Sequence, residues 1–153
     1  MSAYAILKFL HVLLAIAAVG SNITYGVWLS RAARDRRHLE YVLRGVKILD
    51  DRVANPAFGL LFVTGVAMIV VGKVPWQTPW LLTSLVLYAG VILLGLFGYT
   101  PLLRRQIAAV QAKGPEAPEY QALAGRAQFV GIVLAVLVVV IVFFMVTKPA
   151  LWS

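Results

Sequence analysis

The sequence predicts an all-α membrane protein, a four-helix transmembrane bundle. The chain has 153 residues, of which 61% are hydrophobic and only 13% are charged, whereas a soluble domain has about 25% charged residues. Four apolar segments reach the roughly 20 residues that an α-helix needs to cross the hydrocarbon core. Four short strands cannot close into a membrane barrel, so the spanning elements are helices.

We predict a single transmembrane domain over residues 1–153. Its predicted spans are at about 4–29, 53–72, 80–103 and 128–147. The apolar run of the first span exceeds the roughly 7 to 15 residues of a signal-peptide core, and no basic cluster precedes it. We therefore interpret it as a retained helix.

The charged residues predict the orientation. All six acidic residues and most of the basic ones lie in segments 31–52 and 104–126, whereas the second loop holds Lys73 alone. Short loops rich in Lys and Arg stay on the cytoplasmic side. We therefore expect loops one and three to be cytoplasmic and both termini to face outside. The net charge of +8 then belongs to loops beside anionic lipids. The expected partner is the lipid bilayer and not nucleic acid.

The first loop, HLEYVLRGVKILDDR, has apolar residues at helical spacing: Leu39, Val42, Leu43, Val46 and Leu49. This pattern predicts an amphipathic helix at the inner membrane surface, and a solvated helical hairpin loop is equally compatible with it. No carboxylate falls within a predicted span, so we expect no proton relay through a buried Asp or Glu. In the third span, Pro101 is expected to kink or end the helix.

His11 is the best candidate for a functional residue, because an ionisable side chain inside a membrane helix is costly. Ala15, Ala18 and Asn22 lie on the same face of the first helix. Such a stripe of small side chains either admits a neighbouring helix closely or leaves room for a flat cofactor whose iron the imidazole ligates. The residues alone favour neither interpretation.

Depth in the membrane selects the side chains that could join His11. Met68 in the second span and Met145 in the fourth are expected at a similar depth in the outer half. His and Met ligate haem iron, and the same soft donors suit Cu(I). Methionine in a helix more often fills core space. The other histidine, His38, lies in the basic loop and is expected to be solvated.

Three short motifs carry a resemblance to known proteins: LKFLH, NPAFGLLFVTG and FFMVTKP. They resemble a bacterial family of integral membrane proteins, the domain of unknown function 2269. More distantly, the chain is similar to the superfamily of the CopD copper-resistance proteins and the HemJ-type protoporphyrinogen oxidases. The resemblance implies the cytoplasmic (inner) membrane of a bacterium. It also implies either haem b ligated by His11 or copper handling.

The chain departs from the HemJ-type pattern in the third helix. Those enzymes carry a lysine early in this helix and a histidine near its end, where this chain reads WLLTSLVLYAG and GLFGYTPLL. Porphyrinogen oxidation is therefore not implied. Lys148, in the matching Lys-Pro pair, would neutralise a haem propionate, or it would extend to the interface as helix-end lysines do.

The leading hypothesis is a small membrane protein that binds haem b through His11, with Met68 or Met145 as second ligand and an electron-transfer or haem-handling role. One alternative is a structural or accessory subunit without a cofactor, in a homo-oligomer or a larger membrane complex, where His11 makes helix contacts. The other is copper binding by His11 and the two methionines. Catalytic-triad spacing, phosphate-binding glycine loops and paired carboxylates are missing from the sequence, and no reaction is predicted.

Overall fold

The computed structural model describes residues 2–150, and every regular element in that part of the chain is helical. This confirms the predicted fold class. Each of four long helices is apolar enough to cross a membrane. Their bounds are α1, Ala3–Arg34; α2, Arg36–Val71; α3, Pro79–Lys113; and α4, Pro118–Thr147. The helices extend beyond the predicted spans because helical hydrogen bonding continues into the charged segments.

Two of the helices change their geometry along their length. The parts of α2 are a 3₁₀ turn Arg36–His38, an α-helical part Leu39–Leu49, a π-helical part Asp50–Ala54 and an α-helical part Asn55–Val71. The parts of α3 are α-helical Pro79–Leu93, π-helical Leu94–Tyr99 and α-helical Thr100–Lys113. We call Asp50–Ala54 the first π segment and Leu94–Tyr99 the second π segment.

A proline explains the position of each π segment. Pro56 and Pro101 are both the second residue of the α-helical part that follows. Proline has no N–H to donate, and its ring crowds the carbonyl four residues earlier. Those carbonyls belong to Arg52 and Phe97, which lie inside the two π segments. The wider turn accommodates the proline ring. Pro101 therefore does not end its helix, which continues to Lys113.

The helices pack differently in two halves of the molecule. We call residues 25–54 and 95–127 the basic half, and residues 3–24, 55–94 and 128–150 the apolar half. Along both halves α1 packs on α2 and α3 packs on α4. In the basic half the backbones of α2 and α3 also pack closely, whereas in the apolar half the two pairs meet through larger side chains, among them Tyr88 of α3 against Phe58 and Phe62 of α2. The largest fully buried apolar side chains, Leu39, Leu43 and Leu103, lie in the basic half.

The segment Leu39–Leu49 is helical, as its periodicity predicts. One face of this helix packs within the bundle, which neither expectation included, and the opposite face with Tyr41 and Arg44 is exposed. Leu39, Leu43 and Val46 are at most 2% exposed, and the segment packs on α1 and α3. The helix runs on into the membrane part of α2, so its apolar stripe stays in phase with the bundle interior.

Candidate functional site

His11 is half-buried on α1 and faces α2. Its Nδ1 lies 2.9 Å from Oγ1 of Thr64. Gly65 follows Thr64, and a Cβ built at this glycine would lie 3.3 Å from Cε1 of the imidazole. The absence of a side chain at Gly65 therefore makes room for the ring. The result is a close α1–α2 contact held by one interhelical hydrogen bond.

The hydrogen bonds of Thr64 determine the tautomer of His11. Oγ1 of Thr64 donates to the carbonyl of Leu60, 2.8 Å away, a common arrangement for a threonine within a helix. A hydroxyl has only one proton. We therefore infer that Nδ1 of His11 carries a proton and donates it to Thr64. Nε2 then has a free lone pair, which is the form of the imidazole that accepts a hydrogen bond or ligates a metal.

The stripe of small residues below His11 holds a neighbouring helix. Ala18 has no exposed surface and clusters with Ala57 and Leu61 of α2. Ala15 packs at the edge of this cluster, and Asn22, farther along, is half-buried. Small residues allow two membrane helices to approach closely. The groove that the sequence indicates is therefore filled by α2.

The remaining predicted site residues lie on α2 and near the end of α4. Met68 is on α2, four residues beyond Thr64, and Met145 is on α4; both are half-buried. The ammonium of Lys148, just after α4, lies 5.4 Å from the ring centroid of Trp80 on α3. The methionines therefore belong to different helix pairs, because α4 packs on α3 and α2 packs on α1. Their role as ligands stays a prediction.

The positions of the cavities relative to His11 matter, because haem or copper is expected at this residue. A cavity of about 400 Å³ in the basic half is lined by Arg105, Ala108, Ala109, Ala112, Lys113, Glu119 and Leu123. A depression of about 240 Å³ on α3 is lined by Leu82, Thr83, Val86 and Leu87. His11 lines neither. Because α2 occupies the stripe beneath the imidazole, a porphyrin does not fit there. Within residues 2–150, no group of three or more His, Asp and Glu side chains could hold a metal ion.

The structure reveals a second polar cluster that the sequence analysis missed. Asp50, at the start of the first π segment, is only 5% exposed. Its Oδ2 accepts a hydrogen bond of 2.8 Å from Oγ1 of Thr100, which follows the second π segment. Tyr25 of α1 stacks on Tyr99 of α3, with centroids 6.1 Å apart and planes 5° from parallel. Three helices therefore meet at one buried carboxylate.

One sequence signal could have indicated the burial of Asp50. It lies four residues after Val46, so it continues the stripe of Leu39, Leu43 and Val46 at helical spacing. The charged surroundings of this stripe favoured a loop instead. Asp50 lies outside the predicted span 53–72, yet it is buried, since this part of the chain belongs to the bundle interior. His38, by contrast, is solvated as expected and lies beside Asp35.

The comparisons with known proteins identify a family. The family model described as "Predicted integral membrane protein (DUF2269)" matches residues 5–149. No curated protein matches the chain. No solved structure matches it either. The match covers all four helices and both polar clusters.

Proposed function

We propose that this chain, which belongs to the DUF2269 family of integral membrane proteins, is a structural or accessory membrane subunit in which His11 fixes the packing of α1 on α2. The observation that carries this proposal is the 2.9 Å contact between Nδ1 of His11 and Oγ1 of Thr64. A role of this kind implies a homo-oligomer or a larger membrane complex, assembled in the inner membrane of a bacterium with the basic half toward the cytoplasm.

The physical reason for such a role is that lipid, and not water, surrounds the helices. Lipid tails are as apolar as leucine, so burying apolar side chains does not drive membrane helices together. Close packing of small residues and interhelical hydrogen bonds do so instead. Ala18 and Gly65 supply the close approach, and His11 supplies a directional bond. The bond also sets which face of α1 meets α2.

A double-mutant cycle tests this role. His11→Ala and Thr64→Val should each lower the free energy of unfolding in detergent by about 0.5–2 kcal/mol, the range for interhelical hydrogen bonds in membranes. The double variant should lose no more than the larger single loss, because both changes remove the same bond.

Thr24→Val is the matched control, since its hydroxyl donates to Gly20 of its own helix at 2.8 Å. We expect little change from it. Fully additive losses at His11 and Thr64 would contradict the proposal.

A second candidate function is haem b binding through Nε2 of His11, outside the stripe filled by α2. The favouring observation is the 2.9 Å contact between Nδ1 of His11 and Oγ1 of Thr64, because metal-ligating histidines usually donate their other N–H to a neighbouring acceptor. Met68 or Met145 would be the second ligand, and Lys148 would neutralise a propionate. When bound, haem would supply one-electron redox chemistry. Copper at the same nitrogen is the metal alternative.

An absorption spectrum and a metal analysis of one purified preparation distinguish these functions. Haem binding predicts a Soret band that His11→Ala abolishes and His38→Ala retains. Copper without a porphyrin supports the metal alternative. A preparation that contains neither after reconstitution with haem and copper contradicts the second candidate and supports the structural role.

A further inference from the structure

Asp50 is a carboxylate in the interior of a membrane bundle. It is 5% exposed, and Thr100, which donates to it, is 7% exposed. The pair joins the first residue of the first π segment to the residue that follows the second π segment. π-helical turns occur often at functional sites, because they re-aim side chains and free backbone groups.

The carboxylate of Asp50 has no cationic partner among residues 2–150. Lys47, one helical turn away, pairs with Asp51 instead. The ammonium of Lys47 still acts on Asp50 through space, as does the charge of Asp51, and the amide of Asn55 lies beside it. A buried charge without a direct counter-ion is costly, and in membrane proteins such groups are neutralised or functional. The burial of Asp50 therefore favours a bound species that neutralises its charge.

The hydroxyl of Tyr25 is a second buried polar group that is available for a hydrogen bond. Its residue is 4% exposed, and its hydroxyl has no hydrogen-bond partner in the described part of the chain. Tyr25 stacks on Tyr99 of α3, and Tyr99 directly precedes Thr100, which donates to Asp50. An unsatisfied buried hydroxyl is costly. The same part of the interior thus holds a carboxylate without an ion pair and a hydroxyl without a hydrogen-bond partner.

We propose that Asp50 is a proton-binding site in the basic half of the bundle. The carboxylate takes up one proton from water and becomes a neutral carboxylic acid. As a carboxylate it only accepts hydrogen bonds, whereas as an acid it also donates one. The acid accepts from Thr100 of α3 and donates toward the hydroxyl of Tyr25 on α1. Proton uptake therefore joins three helices at the two π segments, and this site is independent of His11.

Infrared spectroscopy of the full-length protein at neutral pH tests the proposal. The protein is held in an ester-free detergent, so that lipid esters do not mask carboxylic acids. Wild-type protein should show the carbonyl band of one protonated carboxylic acid. Asp50→Asn, which keeps the shape and the acceptor for Thr100, should lose it. Asp51→Asn, at the exposed and ion-paired neighbour, should retain it.

Thr100→Val gives a second readout that a merely structural carboxylate would not show. Loss of its hydrogen bond should shift the carbonyl band without removing it. Absence of the band in wild-type protein would overturn the proposal, whatever the folding of the variants. The proposal would also be overturned if the Asp50→Asn variant showed the wild-type band.

A bound cation is the competing occupant of the site, and melting in two buffers distinguishes it from a proton. Wild-type protein should melt at the same temperature in sodium chloride and in choline chloride at equal ionic strength. Stabilisation by sodium in wild type and in Asp51→Asn, but not in Asp50→Asn, would overturn the proton assignment in favour of a sodium site.

Discussion

The basic half and the apolar half solve the problem of helix association in different ways. In the basic half, side chains from all four helices meet in one core, and polar bonds cross between them. Arg36 pairs with Glu116 at 2.6 Å, and Gln111 of α3 donates to Glu40 of α2 at 2.8 Å. In the apolar half, α1 packs mainly on α2 and α3 mainly on α4. A hydrogen bond from the hydroxyl of Tyr88 to the carbonyl of Phe58 joins the two pairs, and the bond between His11 and Thr64 lies within one pair.

The difference follows from the surroundings of each half. Water near the membrane surface allows charged side chains to pair, and large apolar residues such as Leu43 and Leu103 fill the space between helices. Deeper in the bilayer, charges are costly and apolar burial gains little. Small residues and single hydrogen bonds then hold each pair. We therefore expect substitutions to have larger effects on stability in the basic half.

The largest expected effect is a cavity in the core of the basic half. Leu43 has no exposed surface, so Leu43→Ala should lower the free energy of unfolding by about 2–5 kcal/mol. The control is Leu60→Ala on the same helix, where the side chain is 52% exposed, and its effect should be below about 0.5 kcal/mol. Reversible unfolding in mixed detergent measures both. A loss at Leu43 no larger than that at Leu60 would contradict a tightly packed core in the basic half.

A smaller effect is expected at the close contact of the apolar half. Gly59→Ala should raise the free energy of unfolding by about 0.5–1 kcal/mol, because alanine favours the helix and nothing lies within 4 Å of its Cβ. Gly65→Ala should be about 1 kcal/mol less stable than Gly59→Ala, since its Cβ crowds the His11 ring. Thermal melting of the two variants compares them directly. A Gly65→Ala variant as stable as Gly59→Ala would show that the ring does not need this space.

The smallest expected effect is a pH dependence at the end of the basic half. Glu40 lies outside the predicted span 53–72. Hydrogen bonds from Gln111 and Arg44 hold the pKa of its carboxyl below the usual range. Its stabilisation is therefore fully present above the ordinary glutamate pKa, and it is lost as the pH falls through the lower pKa of the folded protein. Melting temperatures of wild type and Gln111→Ala should converge in acid. Curves that stay parallel throughout would exclude this contribution.

The sequence predicts the fold well, because apolar length and loop charge report directly on membrane spans. It also selects His11 as a buried polar residue and Ala18 as part of a contact stripe. It does not identify Thr64 as the partner of His11, since this requires knowing which faces of α1 and α2 meet. Asp50 is missed for a different reason: composition places it in a charged loop, although helical phase places it in the core.

The proposed structural role requires that α2 occupies the stripe of small residues on α1. The chain has no cysteine, so any disulfide within it must come from an engineered pair of cysteines. Ala18→Cys combined with Ala57→Cys should form a disulfide in intact membranes, because these residues cluster in the interface. Ala18→Cys with Leu60→Cys, on the lipid side of α2, should not. If the first pair cross-links no more than the second, the stripe does not hold α2 and the account is wrong.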